Sequence, residues 1–322
     1  MDLDFHYWIT GLIAVRAGFS KDESSIIATS SQLVDENVTA YTIKERRSGR
    51  SYTNLISQTV EYFYQGDSRL KIFPLFHYLP DVTESERAAV RKDGKNHPFI
   101  TTPNSDTAQR ILDAAFQSTN GAKLYRIGIA THSFTDAWAH QNFVGYHDHF
   151  NNLLDEKEPR LGHSSGAGAP DWIGEKWTDH RLVSEEVDNG GRFLEAAREL
   201  FLQYCRYLGS VGRGDNSFLW DSVESELVDP LRINMLDNST QSYPERLKHY
   251  QEVIDWLPEF KPGQWLEEAV EVKNNTSTGD FFWREGVHAE ESRWYYFQES
   301  IREHEQAVFN EIPCLNELFP ER

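Results

Sequence analysis

Cysteine is nearly missing from this chain. Cys205 and Cys314 are the only two in 322 residues, far apart and without the paired spacing of a thiolate metal site. That excludes a disulfide framework and a cysteine-based zinc knuckle, and a reducing, cytoplasmic setting is expected. Positive charge is short as well: 32 Lys and Arg stand against 51 Asp and Glu, a net charge of −19. Such a balance opposes binding to nucleic acid or anionic membranes, so neither is expected as a partner, and an anionic substrate needs a local source of positive charge. Long uncharged apolar runs are lacking too. The opening "MDLDFHYWITGLIAVRAGF" has two acids ahead of its apolar stretch and Arg16 inside it. It reads as a folded helix, with neither an export signal nor a membrane span. No glycine-rich phosphate loop, dinucleotide fingerprint or nucleophile elbow occurs, and "GHSSGAG" at 162–168 reads as a flexible lip.

What is present suits a packed core, with 39% hydrophobic and 13% aromatic residues. The patterning is helical almost throughout. The expected fold is all-α: a multi-helix globular bundle, a single domain over 1–322, with 238–322 able to form a C-terminal helical subdomain. Asp4 opens a helix over 5–18, and "SKDE" at 20–23 is a capping-box signal for a second helix that ends near Asp35. "TESE" at 83–86 signals a short helix and "SDTAQRILDAAFQ" at 105–117 a longer one. "RLKIFPLFHYLP" at 69–80 is too broken by proline for a helix and reads as an extended passage carrying His77. Residues 145–180 read as a surface loop, and helices are expected again at about 181–208, 219–236, 243–257, 263–273 and 289–312.

The chemistry concentrates in "THSFTDAWAH", residues 131–140. Helical spacing puts His132, Asp136 and His140 along one face, drifting by about 40° per step. Asp136 sits in an apolar helix where an unpaired carboxylate would be costly, so it needs partners. Imidazole and carboxylate together suit zinc or another divalent first-row ion. Residues 132 and 140 are about 12 Å apart along the axis, too far for one ion to take both imidazoles and the carboxylate between them. Two ions bridged by Asp136 fit better, at the roughly 3.5–4 Å separation of two-metal hydrolases. The candidate ligands are His6, Asp35, His77, His132, Asp136, His140 and His163, and Asp136, His163 and Asp171 are the candidate catalytic residues. A structural His–Asp–His hydrogen-bond network is the plain alternative. His147 and His149 read as exposed loop histidines, although the "HD" doublet at 147–148 is similar to that of HD-type phosphohydrolases. His97, His180, His249, His288 and His304 read as surface positions, Phe134 and Trp138 as core, and Tyr146 and Trp172 as possible pocket wall.

The phrases "MDLDFHYW", "IIATSSQLVDE", "FPLFHYLP", "LYRIGIATHSFTDAWAHQNFVG" and "GHSSGAGAPDW" together resemble an uncharacterised bacterial domain family of unknown function over roughly residues 1–180. More distantly, the layout is similar to the all-helical zinc-dependent phospholipase C and single-strand nuclease superfamily. That resemblance implies His6, Asp35, His77, His132 and Asp136 as ligands, with His140 and His163 continuing the set. His140 follows Asp136 by four residues where that superfamily has six, which implies two ions in place of three. The function expected is a metal-dependent hydrolase that uses a metal-activated water on a small-molecule or phosphoester substrate; the phosphoester comes from the resemblance alone. An oxidative iron or manganese enzyme is the second reading, against which the paired Glu-x-x-His signature is missing from the central helix. A helical binding or scaffold protein with a structural metal is the third.

Overall fold

Ser20 Oγ accepts from the Glu23 amide while the Glu23 carboxylate accepts from the Ser20 amide, so the capping box forms and opens a helix at Lys21. The computed structural model describes residues 1–46, 48–59, 68–81, 83, 89–232, 239–273 and 280–319. A π-helical turn, Asp4–Ile9, runs into α1 (Thr10–Ala17), and α2 (Lys21–Glu36) follows. α3 (Asp106–Phe116) starts where expected, its first turn capped by Ser105. α4 (Lys123–Ala139) is the central helix, buried at every residue from Ile127 to Ala139 and packed by α2 and α3. α5 (Asn189–Ser210), α6 (Trp220–Arg232), α7 (Ser239–Val253), α8 (Gln264–Ala269) and α9 (Arg293–Glu311) complete the main helices described, with α5 and α9 also packing on α4.

Gly128 permits the closest of these contacts. A Cβ there would stand 2.5 Å from Ser30 Cβ and collide with the Ile27 carbonyl, so only glycine lets α4 approach α2 this far. The approach is what brings the C-terminal turns of α2 beside His132.

The all-α expectation is overturned by three small sheets, and the fold is mixed α/β. β1 (Thr42–Lys44), β2 (Ser51–Thr53), β7 (Val270–Lys273) and β8 (Asp280–Trp283) form a mixed four-stranded sheet in the order β2-β1-β8-β7. Ile43 pairs in parallel with Phe281, and Val270 antiparallel with Trp283. β3 (His147–Asp148) pairs with β4 (Arg160–Leu161), and β5 (Lys176–Thr178) with β6 (Glu186–Asp188). Strands of two to four residues are shorter than the alternation needed to recognise them.

The segment expected as a helix over 263–273 is α8 turning directly into β7, and the helix expected from 181 begins at Asn189, after β6. The passage at 69–80 is helical where an extended chain was expected: a 3₁₀ turn Ser68–Lys71 and a π-helical turn Phe73–His77. Pro74 is tolerated there because the first turn of a helix has no intrahelical partner for the N–H it lacks. "TESE" lies outside the described residues from Glu84 on, as do residues 233–238. His304, expected at the surface, is buried on α9, with Nε2 3.1 Å from both the Leu75 carbonyl and Ser133 Oγ. Among the described residues, no helix is long and apolar enough to cross a membrane.

Candidate metal centre

Five elements supply the polar cluster at the heart of the molecule. His6 comes from the π-helical turn ahead of α1, Asp35 from the end of α2 and His77 from the last position of the second π-helical turn. His132 and Asp136 project from α4, and His140 is its C-cap, held by a bond from its amide to the Asp136 carbonyl. His163 and Asp171 belong to the passage between β4 and β5. Two of the histidines thus sit on π-helical turns, an irregularity frequent at functional positions.

Four of the imidazoles are anchored alike. His132 Nδ1 donates to the Ser31 carbonyl at 2.9 Å, His77 Nε2 to Ser57 at 2.9 Å, His140 Nδ1 to His77 at 2.6 Å and His163 Nδ1 to Ala167 at 2.8 Å. A carbonyl only accepts, so each neutral ring carries its proton on that side and a lone pair on the other. Those lone pairs point at carboxylates. His132 Nε2 and His77 Nδ1 are each 3.2 Å from Asp136 Oδ2, and 3.8 and 3.7 Å from Asp35 Oδ1. His140 Nε2 and His163 Nε2 are 2.9 and 3.0 Å from the two oxygens of Asp171. His6 Nε2 lies 3.0 Å from Asp136 Oδ1, its ring stacked on His132 with centroids 3.9 Å apart, and its Nδ1 has no hydrogen-bond partner.

At these distances a proton shared with the carboxylate, or a metal cation held between the two, satisfies each inward nitrogen. Anchoring one imidazole nitrogen on a carbonyl while the other faces inward is the way proteins orient histidine ligands. The donors fall into two groups. The larger joins two triplets through His132, one of His6, Asp35 and His132 and one of His77, His132 and Asp136, and the smaller is the triplet His140, His163 and Asp171. Asp136 divides its oxygens, Oδ1 to His6 and Oδ2 to His77 and His132. His140 turns its free nitrogen to Asp171 and not to Asp136. The α-amino group of Met1 spans the two groups, bonded to Asp136 Oδ1 and 3.3 Å from Asp171 Oδ1.

Burial and charge set the protonation of the cluster. Burial pushes His6 down to about 4 and lowers His140 as well. Burial opposes ionisation of His77 and His163 too, but Asp136 and Asp35 raise the first and Asp171 the second. Asp136 and Asp171 lie well below the usual carboxylate range: burial works against them, and the Met1 amine and the surrounding imidazoles outweigh it. The same carboxylates, Asp136 foremost, outweigh burial at the Met1 amine and lift it to about 11. A cavity of about 280 Å³ opens onto the cluster, lined by Phe73, Tyr78 and Leu161 together with Asp35, Asp136 and Asp171.

The profile of a family of unknown function, DUF6765, matches residues 1–312. The chain belongs to this family. The DUF6765 match runs well beyond the stretch of roughly 1–180 read from the sequence phrases, taking in every residue of the cluster and α9. Neither the curated proteins nor the solved structures give a match, and the likeness to the zinc-dependent phospholipase C superfamily finds no support.

All eight residues singled out in the sequence come together in this member of DUF6765: His6, Asp35, His77, His132, Asp136, His140, His163 and Asp171. His147 stands apart on β3, its Nδ1 bonded to the Pro159 carbonyl, and the "HD" doublet has no part in the cluster. Tyr146 packs with His97 and Phe99, and Trp172 against Gly168; neither lines the cavity. The aromatic wall is Phe73 and Tyr78, the latter stacked on His140 at 4.3 Å and 15°. Sequence reasoning missed Tyr78, although it adjoins His77. Gly162, at φ +49, is the other trace of it, since a Cβ there would run into the Tyr78 ring.

Proposed function

We propose that the protein is a metal-dependent hydrolase that directs a metal-activated water at a phosphoester. The observation that carries this reading is the pair His77 Nδ1 and His132 Nε2, 3.1 Å apart, each ring already committed to a backbone carbonyl through its other nitrogen. Two lone pairs at that distance, with Asp136 Oδ2 beside both, make a donor set for a cation. His6, Asp35, His77, His132 and Asp136 would hold one divalent first-row ion, and His140, His163 and Asp171 a second. Bound there, such ions lower the pKa of water toward neutrality and offset charge on a phosphoryl oxygen.

The chain's own groups do the rest. Asp136 orients three imidazoles and the Met1 amine through its two oxygens. Asp35 and Asp171, 25% and 23% exposed, are the more open of the carboxylates lining the cavity, where they can hold and orient a water. Phe73, Tyr78 and Leu161 exclude other water from that side. The donor set supports the activated water, and a phosphoester suits such a site because paired divalent ions would offset the charge on its phosphoryl oxygens.

Elemental analysis of the purified protein, with hydrolysis of bis(4-nitrophenyl) phosphate and 4-nitrophenyl phosphate before and after chelation, tests the proposal. About two divalent ions per chain and chelator-sensitive hydrolysis are expected. A chain that takes up no divalent ion from metal-supplemented buffer would refute it.

A further inference from the structure

Asp171 is held by a side chain that the sequence gives no reason to suspect. The passage carrying it, residues 167–175, contains neither helix nor strand, so its carbonyls have no ladder to satisfy them. Asn189, the fully buried first residue of α5, takes that role. Its Nδ2 donates to the carbonyls of Ala169 at 2.8 Å and Trp172 at 2.7 Å, and lies 3.4 Å from that of Pro170. These residues bracket Asp171 on both sides. The Asn189 Oδ1 is fixed in turn, accepting from Trp177 Nε1 at 3.1 Å and from the Arg192 guanidinium. Arg192 also reaches toward the Pro170 and Ala139 carbonyls, at 3.4 and 3.5 Å, which precede Asp171 and His140.

We propose that Asn189 is the positioning residue of the smaller ligand group, holding the Asp171 carboxylate against His140 and His163 so that the three bind a divalent ion. The inference rests on the metal-centre reading above. It adds that the second ion position depends on an amide that touches neither ion nor substrate. Asn189 makes no hydrogen bond to any residue of the larger group, so the first ion position is independent of it.

Asn189→Asp isolates the effect. It keeps the size of the side chain and the acceptor for Trp177 and Arg192, and removes the donors to the three carbonyls. Its added negative charge would by itself favour a cation nearby, so any loss of metal comes from geometry. With zinc or manganese as probe, the wild type is expected to retain about two ions per chain and Asn189→Asp about one. Combining it with His163→Ala should remove no further ion, because both act on the same position. Asn189→Ala, measured in parallel, gives the same readout without the charge and keeps the question decidable if one variant misfolds. Two ions retained by the variants at wild-type affinity, or equal loss from both groups, overturns the proposal and leaves the metal centre standing. A wild type that binds no ion overturns the metal centre, and this inference with it.

Discussion

The Nδ1–H of His132 donates to the Ser31 carbonyl across the α2–α4 contact, at 2.9 Å. This bond directs the other nitrogen of the ring at Asp35 and Asp136, and it exists only because Gly128 lets the two helices meet. Gly128→Ala should push α2 outward and break it. Overpacking of this kind costs about 1–3 kcal/mol, and the displaced carbonyl frees the ring to turn. Denaturant unfolding should show that loss of stability, and metal content should fall with it. A stable Gly128→Ala protein with full metal content would show that the Ser31 anchor does not orient the ligand.

Asp136→Asn should empty the centre more completely than His163→Ala. Asp136 faces His6, His77, His132 and the Met1 amine, whereas His163 makes its one polar contact within the candidate ligand set with Asp171. An amide in place of the carboxylate removes a charge and sets an N–H against a lone pair. His163→Ala is expected to keep about one ion per chain and Asp136→Asn close to none. Equal metal content in the two variants would contradict the central role of Asp136.

The clustering of the candidate ligands on α4 was legible because helical spacing fixes which residues share a face. His6 and His77 were legible as chemistry but not as conformation: nothing in "DFHYWI" or "FPLFH" announces a π-helical turn. The pairing of Ile43 with Phe281 was illegible, since strands this short carry no period and their partners lie at opposite ends of the chain. Asn189 and the Ser31 and Ser57 carbonyls escaped for a related reason. The two serines act through carbonyls that any residue possesses, and the Asn189 side chain acts on the carbonyls of an irregular passage, so neither contact follows a sequence pattern. His304 was misread because a polar residue between Glu303 and Glu305 resembles a solvated face, while α9 turns that one position into the core.

Chelation should destabilise the protein as well as silence it. An ion held at roughly a hundred times its Kd contributes about 2.7 kcal/mol to the folded state, and each kcal/mol moves the melting temperature of a chain this size by about 2 °C. For two ions the fall is on the order of 10 °C. Differential scanning fluorimetry before and after chelation, followed by metal add-back, measures it. An unchanged transition would mean that the carboxylates and imidazoles satisfy one another without metal.

His304 makes stability depend on acid. Burial pushes its pKa from 6.5 down to about 3, with the charge of Arg126 adding to the effect and the bond to the Leu75 carbonyl opposing it. The folded-state value is therefore the lower one. Below pH 6.5 the unfolded chain takes up a proton that the folded chain refuses until about pH 3. The stability this histidine contributes is thus complete above 6.5 and is lost as the pH falls toward 3, at about 1.4 kcal/mol per pH unit within that window. Gln in its place cannot titrate and can still donate to the Leu75 carbonyl. His304→Gln is expected to be less stable than the wild type at pH 8, where the loss of packing on Phe76 dominates. Its unfolding free energy should then decline less steeply with acid, by the worth of one proton, when both proteins are measured metal-free from pH 7 to 4. Parallel slopes would show that the folded protein protonates His304 as readily as the unfolded chain does.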